Sequence, residues 1–310
     1  MKTGKFTRII STAVLALSLA ACGSSSSAAA TTAAATAAAS APAASEAAAA
    51  AEPTTLSVIA TANPHEVILN AAAPILLEKY NITLNIIETE DYYTPNRAVN
   101  DGDADANFFQ HVPFFDNEVA ENGYDLVNVA GIEIEPFGFY SKKYSSLDEL
   151  PDGAHIITSN SVADHGRILS ILAKAGLITL ADGVDELTAT KEDIVDNPHN
   201  YDFSIEVNPE QLTNTLDDAQ ADLVAINGNY AIAAGLKPSE DALLLEQADS
   251  TNPYVNILVT RTELKDDPRI KALAEVLTSD DIKKFITDTW ADGSVIPAEC
   301  SHACMALLKP

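Results

Sequence analysis

Segments with the apolar spacing of β-strands alternate with segments that have the spacing of α-helices, from residue 54 to about residue 297. Short apolar or alternating runs are typical of strands, and apolar residues three and four apart are typical of helices. Strands are predicted at 56–60, 82–89, 104–108, 126–130, 137–141, 156–158, 223–226 and 254–260. Helices are predicted from Pro64, around Ile168 up to Gly176, and at 95–101, 113–122, 269–277 and 280–287. This alternation predicts an α/β fold in which helices cover open sheets.

Polar and aromatic residues follow several of the predicted strands. They lie at 63–65, 108–111, 159–167 and 227–230, where each segment joins a strand to a helix. Open α/β sheets bind ligands at the carboxyl ends of their strands, because the loops there converge in space. The four segments are therefore predicted to form one ligand site.

The N-terminal segment resembles the signal sequence of a bacterial lipoprotein. Lys2, Lys5 and Arg8 precede an apolar run at 9–20, which is shorter than a membrane span, and small residues lead to Cys22. The resemblance implies that residues 1–21 are removed and that Cys22 carries lipid, which would anchor the protein outside the cytoplasm on the cell membrane. An ordinary secretory signal that contains a cysteine is the alternative. Segment 22–53 is almost wholly Ala, Ser, Thr, Pro and Glu after Cys22, and it is predicted to be a flexible linker.

Charge and cysteine content narrow the remaining function classes. Without residues 1–21 the chain has 15 basic and 45 acidic residues, a formal net charge of −30. Binding to the phosphate backbone of nucleic acids is therefore not expected. Cys300 and Cys304 lie in a predicted C-terminal tail, 298–310. A disulfide or a metal site in this tail is an open alternative, although two cysteines within one helical turn suit a disulfide poorly.

No catalytic or cofactor motif is recognisable in the sequence. The chain lacks a Gly-x-Ser-x-Gly elbow, a phosphate-binding loop and a dinucleotide-binding Gly-x-Gly-x-x-Gly. His65-Glu66 begins like the helix of a zinc protease, but Leu69 occupies the position of the second histidine. We therefore predict that the protein is not an enzyme and holds no cofactor.

Several longer strings are more specific than these short motifs. Asp-Gly-Asp-Ala-Asp-Ala-Asn-Phe-Phe-Gln-His occupies 101–111, and Asp-Tyr precedes it at 91–92. Others are Ile-Glu-Pro at 134–136, Tyr-Ser-Lys-Lys-Tyr at 140–144, Ser-Leu-Asp-Glu-Leu-Pro-Asp-Gly at 146–153, Ile-Asn-Gly-Asn-Tyr-Ala at 226–231 and Pro-Tyr-Val-Asn at 253–256. Over roughly residues 54–297, the chain resembles the methionine-binding lipoproteins of the NlpA type, which are the substrate-capture subunits of ABC importers.

This resemblance implies a two-lobed periplasmic-binding-protein type II fold with the ligand in the cleft between the lobes. Lobe 1 would combine 54–150 with 251–297, and lobe 2 would be 151–250. Crossing segments near 148–154 and 249–254 would let the lobes close. The implied ligand is L- or D-methionine or a close derivative, and the implied partners are an ABC permease and its ATPase.

The resemblance also implies a set of ligand-binding residues. Arg167 would hold the ligand carboxylate through parallel N–H donors. Asn227 and Asn229 would lie near the ammonium group, because an amide oxygen can accept its hydrogen bonds. Aromatic edges suit the polarisable sulfur of a thioether. The wall around the ligand side chain would consist of Tyr92, Phe109, His111 and Phe114.

Each of these residues also has an alternative interpretation in which it serves only the fold. In addition, the chain departs from the family pattern at two places. Phe109 would otherwise be core, Tyr92 a packed surface aromatic residue, His111 a helix cap, Arg167 part of a surface ion pair, and Asn227 and Asn229 parts of a turn. Phe114 stands where the family usually has tyrosine. Asp164 and His165 lie in a segment where the family usually has proline and asparagine. These departures leave the exact ligand open.

Other functions are compatible with the same sequence. One is a metal-capture lipoprotein that uses His65, His111, His155 or His165 with acidic residues. Others are capture of a different amino acid or a short peptide, an extracytoplasmic enzyme on the same fold, and a surface-interaction protein.

Overall fold

The computed structural model describes residues 52–248 and 252–299. The proposed lipid-bearing Cys22 and the pair Cys300 and Cys304 lie outside these residues. No helix in the two described ranges combines the length and hydrophobicity that crossing a membrane would require.

Strands and helices alternate along the described chain. The strands are β1 (Thr54–Thr61), β2 (Ile82–Thr89), β3 (Ala106–His111), β4 (Leu126–Ile134), β5 (Gly138–Tyr140), β6 (Ile156–Ser159), β7 (Thr179–Leu180), β8 (Ile194–Asp196), β9 (Glu206–Val207), β10 (Leu223–Ile226), β11 (Leu244–Leu245), β12 (Val255–Arg261) and β13 (Ile296–Pro297). The α-helices are α1 (Val67–Tyr80), α2 (Thr94–Asp101), α3 (Val112–Asn122), α4 (Val162–Lys174), α5 (Leu212–Thr215), α6 (Gly228–Ala233), α7 (Pro238–Asp241), α8 (Pro268–Leu277) and α9 (Asp280–Thr289). Single turns of other helical types occupy Ala62–Glu66, Leu147–Glu149, Lys191–Asp193, Pro209–Gln211 and Thr262–Leu264.

The first sheet has the strand order β13-β4-β12-β3-β1-β2. β1 is parallel to β2 and β3, whereas β12 is antiparallel to β3 and β4. Apolar side chains of these strands, such as Leu56, Val58 and Phe108, pack with residues of α1, α8 and α9 into one buried core. The parallel pairs bring the carboxyl ends of β1 and β3 to the same edge of the sheet.

The second sheet has the order β11-β5-β10-β6-β9. β10 is parallel to β6 and antiparallel to β5. Helix α4 buries Ile168 and Leu172 against Ile156 of β6 and Leu223 of β10. The helices α4 and α6 therefore begin at the carboxyl ends of two adjacent parallel strands, as the sequence analysis expected for a ligand site.

The chain changes from the first sheet to the second earlier than the sequence predicts. β5 pairs with β10 and β11, and Phe137 and Phe139 are buried in the second core. The sequence places 137–141 in lobe 1 and the first crossing at 148–154, whereas β5 joins the second sheet, because a strand pattern does not specify its pairing partner. The chain returns to the first sheet between β11 and β12, in the interval that contains the second predicted crossing at 249–254.

Two strands of the first sheet are longer than predicted. β3 continues to His111 rather than residue 108, and β4 continues to Ile134 rather than residue 130. Both extensions pair with β12, which satisfies their backbone groups. The extension of β3 carries Phe109 and His111 to the sheet edge, where the candidate site lies.

Candidate ligand-binding site

An aromatic wall lies at the carboxyl end of β3. Tyr92, Phe109 and Phe114 are buried, and their ring centroids are 5.6–6.0 Å apart. Phe109 comes from β3, Phe114 from α3 and Tyr92 from the segment before α2. Tilted and edge-on ring pairs at these distances are favourable arrangements. The wall presents an apolar, polarisable surface to whatever lies against it.

Hydrogen bonds join this wall to α6 of the second sheet. The Tyr92 hydroxyl donates to Asn229 Oδ1 at 2.5 Å, and the Tyr230 hydroxyl donates to the Glu90 carbonyl at 2.9 Å. The Tyr92 and Tyr230 rings also contact each other, with centroids 4.9 Å apart. These contacts hold the elements of the two sheets together over the site.

Gly228 permits the close approach of α6 to the first sheet. A Cβ at this position would lie 2.6 Å from the Cβ of Glu135, which is far inside van der Waals contact. Only a residue without a side chain fits here, so the neighbouring Asn227 and Asn229 can reach the site.

His111 serves both the fold and the site. Its Nδ1 accepts a hydrogen bond from the Phe114 backbone N–H at 3.2 Å, so it caps α3 as the structural alternative supposed. Its Nε2 lies 3.7 Å from Asp164 Oδ1. Burial lowers the pKa of His111, which keeps the ring neutral at pH 7. With Nδ1 accepting, the proton of the neutral ring is on Nε2 and faces Asp164.

Asp164 is a buried carboxylate in α4, on the side of the site opposite the aromatic wall, and it positions the neighbouring polar side chains. Burial alone would raise the pKa of Asp164, but the nearby His111 ring and the polar side chains of Ser159 and Asn227 outweigh it and lower that pKa. Asn227 Nδ2 donates to both carboxylate oxygens, at 3.2 and 3.3 Å. This fixes the amide so that its Oδ1 is the free end. Among the described residues, buried Asn227 Oδ1 has no hydrogen-bond partner.

Arg167 is buried at the other end of the site and already has a carboxylate partner. Its Nε and Nη2 donate to Glu246 at 3.1 and 2.5 Å, and Nη2 also donates to the Glu135 carbonyl at 2.8 Å. The guanidinium carbon lies 4.2 Å from the centre of the Tyr254 ring, a cation–π contact. The structural alternative was an ion pair on the surface, whereas the pair of Arg167 with Glu246 is buried. The hydrogen bonds to Glu246 and Glu135 use Nε and Nη2, and Nη1 takes no part in them.

All seven residues predicted to bind ligand border one cavity. The cavity has a volume of about 20 Å³, room for roughly one water molecule. Its lining consists of Tyr92, Phe109, His111, Phe114, Arg167, Asn227 and Asn229 together with Gln110, Glu135, Gly228 and Asn256. Arg167 also borders a second, larger groove of about 650 Å³ on the side of Glu246 and Lys174.

Three acidic residues lie near the site but were not predicted from the sequence to belong to it. Glu246 lies 79 positions from Arg167, so sequence proximity gave no indication of their pairing. Glu133 and Glu135 left a usable signal. They alternate with Ile132 and Ile134, which places two carboxylates on one face of a strand in an otherwise apolar run. A charge at such a position is costly unless it has a partner.

The four histidines of the metal-capture alternative do not converge. His155 pairs with Asp202 and His165 lies beside Glu206, whereas His111 faces Asp164. Among the described residues, one group of histidine and acidic side chains has converging ligand atoms, and it consists of His65, Glu133 and Glu135.

Two open α/β sheets with a cavity between their strand ends and helices define a two-lobed substrate-binding protein. A family model described as NlpA lipoprotein matches residues 56–299, and the chain belongs to this family. The predicted family and the predicted two-lobed α/β fold are thereby confirmed.

Named proteins and solved structures of the same kind are similar to this chain. The chain is 46% identical over 241 residues to the methionine-binding lipoprotein MetQ of Bacillus subtilis (strain 168), which covers 77% of this chain and 86% of that protein. It is 37% identical over 244 residues to the D-methionine-binding lipoprotein MetQ of Escherichia coli (strain K12), which covers 79% of this chain and 89% of that one. A nutrient binding protein from Burkholderia cenocepacia, solved bound to methionine, is similar with a TM-score of 0.73 and 36% identity, over 78% of this chain and 99% of that one.

Proposed function

We propose that this chain is a lipid-anchored solute-binding protein that captures methionine, or a close derivative, and delivers it to an ABC importer. The observation that carries the proposal is the convergence of seven residues, from elements of both sheets, on one buried cavity. The relatives named for methionine binding support the choice of ligand.

The cavity offers a matching group for each part of methionine. Asn227 Oδ1 is a buried acceptor without a partner among the described residues, and it suits an ammonium group. Nη1 of Arg167 is the guanidinium nitrogen left for the carboxylate. Phe109 and Phe114 suit the thioether, at roughly 0.3–1.5 kcal/mol for each contact with sulfur.

Ligand capture requires the two walls to separate. A space of about 20 Å³ is far smaller than an amino acid, so the contacts across the site must open before methionine enters. The hydrogen bonds Tyr92–Asn229 and Tyr230–Glu90 would break on opening and re-form on closure, with the side chains around the cavity shifted to make room for the ligand. We place the two crossing segments at 135–137 and 246–254, where the chain changes sheets. Ligand favours closure because only the closed state brings groups from both walls to it.

The anchor and the partners complete this proposal. Lipid on Cys22 would hold the protein at the outer side of the cell membrane, and the linker 22–53 would let the body reach its permease. The ATPase of the importer would supply the energy for transport. The family consists of substrate-binding lipoproteins and is not an enzyme family.

A thermal-shift and calorimetric screen tests the ligand. The full chain, stripped of bound solute under denaturing conditions and refolded in chelator, would be titrated with L-methionine, D-methionine, leucine and methionyl dipeptides. At a ligand concentration of 100 Kd, binding adds about 2.7 kcal/mol to stability. This should raise Tm by about 5–10 °C, at 2–4 °C per kcal/mol for a body of this size. If Tm rises only with a dipeptide or with leucine, that solute and not methionine is the ligand. If Tm rises with none of the solutes, the proposal of solute capture is contradicted.

A further inference from the structure

A second polar cluster lies beneath the cavity. His65 is in the turn Ala62–Glu66 that follows β1, whereas Glu133 and Glu135 belong to β4 and the residue after its end. The three side chains are 1%, 0% and 5% exposed. Glu135 also borders the cavity, so the cluster is next to the proposed ligand.

The ligand atoms of this cluster have the spacing of a metal site. His65 Nε2 lies 3.3 Å from Glu133 Oε1 and 3.5 Å from Glu135 Oε1. A tetrahedral ion with bonds of about 2.0–2.2 Å to nitrogen and oxygen places its ligand atoms about 3.3–3.6 Å apart. The observed separations fall in that range.

The cluster also leaves polar atoms without partners. Within the described residues, His65 Nε2, both carboxylate oxygens of Glu133, and Glu135 Oε1 are buried and make no hydrogen bond. Buried polar atoms are nearly always satisfied, and unsatisfied charged groups are the costliest. Three of these atoms, His65 Nε2, Glu133 Oε1 and Glu135 Oε1, converge, so either a bound ion or protons shared among the side chains must satisfy them.

The outer contacts of His65 suit a metal ligand. His65 Nδ1 lies 2.7 Å from Thr61 Oγ1, so a proton on Nδ1 can be held by Thr61 while Nε2 keeps its lone pair for an ion. Burial lowers the pKa of His65, which keeps the ring neutral as metal binding requires. The alternative occupant is one or more shared protons, because burial raises the pKa of Glu133 and of Glu135 to about 8.

We propose that His65, Glu133 and Glu135 bind one divalent transition-metal ion, zinc(II) in the first instance, with water as a further ligand. One imidazole and two carboxylates suit zinc, and a divalent ion neutralises two buried carboxylates. Because the ligands are buried, the ion is resident and is not transported cargo. The ion links the turn that follows β1 with strand β4. It thereby holds Glu135 in position, and the Glu135 carbonyl accepts a hydrogen bond from Arg167. This inference goes beyond the proposed function and does not depend on methionine binding.

Metal content and coordination test the site directly. The full chain would be stripped with chelator, loaded with zinc, passed through a desalting column and analysed by mass spectrometry for metal. We expect about one zinc per chain in wild type and less than about a fifth of that in Glu133→Gln, since a neutral amide is a poor ligand for zinc. X-ray absorption should give one nitrogen and two or more oxygens at about 2.0–2.2 Å.

Asp202→Asn is the matched control. Asp202 pairs with His155 at 3.0 Å near the surface, so this variant also removes a carboxylate beside a histidine but should keep the full zinc content. Circular dichroism in chelator would establish that each variant is folded, and Glu135→Gln would replace Glu133→Gln if the latter is not. Absence of tightly bound metal in folded wild type, or an unchanged zinc content in both glutamine variants, would overturn the proposal and leave shared protons as the occupant.

Discussion

Arg167→Met would separate the role of Arg167 in ligand binding from its role in folding. Arg167 is 4% exposed and donates to Glu246 and to the Glu135 carbonyl. Methionine has a similar length but neither charge nor donors. The single variant leaves Glu246 buried without its cation, whereas Arg167→Met combined with Glu246→Gln removes both charges.

The two variants should differ in stability but not in ligand affinity. Removing one partner of a buried ion pair costs about 3–5 kcal/mol, which corresponds to a Tm lower by about 6–20 °C. The double variant should recover most of this loss, because no unpaired charge remains. Both variants lose the proposed partner of the methionine carboxylate. A hydrogen bond to a charged group contributes about 1.5–3 kcal/mol, so Kd should rise about 10- to 140-fold in both.

Scanning fluorimetry and isothermal titration calorimetry on the full chain would measure the two quantities. Arg269→Met is the matched control, since Arg269 forms a partly exposed pair with Asp267 at 2.7 Å. Such pairs contribute about 0–1 kcal/mol, and methionine affinity should not change. Wild-type affinity in the folded double variant would refute the assignment of Arg167 to the ligand. Wild-type Tm in the single variant would refute the energetic role of the buried pair.

Three further predictions concern closure, anchoring and pH. Tyr92→Phe removes the hydrogen bond to Asn229 at 2.5 Å; a loss of about 1 kcal/mol from the closed state should raise the calorimetric Kd for methionine about fivefold, and an unchanged Kd would contradict the closure role. Cys22→Ala should move the protein from the membrane to the soluble fraction with unchanged methionine affinity, and a membrane-bound variant would exclude Cys22 as the lipid site. Burial alone would raise the pKa of Glu246, but Arg167 lowers it below its usual value of 4.5. The pair therefore stabilises the protein fully above that value, and the stabilisation is lost as pH falls through the lowered pKa. Between about pH 5 and 3, Tm should therefore fall more steeply with pH for wild type than for Arg167→Met/Glu246→Gln. An equal dependence of Tm on pH in the two proteins would contradict this role of the pair.

Local patterns predicted much of the fold. The alternating residues of β2 and the apolar run of β10 give the same bounds in the sequence and in the structure. Strand pairing was not predictable in the same way, because β5 carries no local mark of the sheet it joins. The lengths of β3 and β4 depend on β12, which is more than a hundred residues away in sequence. Local spacing therefore specifies elements, whereas contacts between distant residues specify how the chain passes from one sheet to the other.

The site shows the same division. Five of its seven predicted residues lie in strings shared with a family, whereas Phe114 and Arg167 were assigned by position in the resemblance, and all seven converge on one cavity. Their partners did not follow from these strings. The pairing of Glu246 with Arg167 exists only in the folded chain, because the two residues are far apart in sequence. The need for glycine at 228 likewise follows from the close approach of the Glu135 side chain, which the sequence does not show.

The segment 227–230 has a consequence for how specificity in this protein can change. Asn227 offers an acceptor to the ligand, while the adjoining Asn229 and Tyr230 hold the two walls together. A substitution here would alter the intrinsic preference for a ligand and the population of the closed form at once. Apparent affinity is the product of both. Evolution or engineering of a new ligand through this segment would therefore also adjust the resting position of the cleft, and a change in Kd alone would not distinguish the two effects.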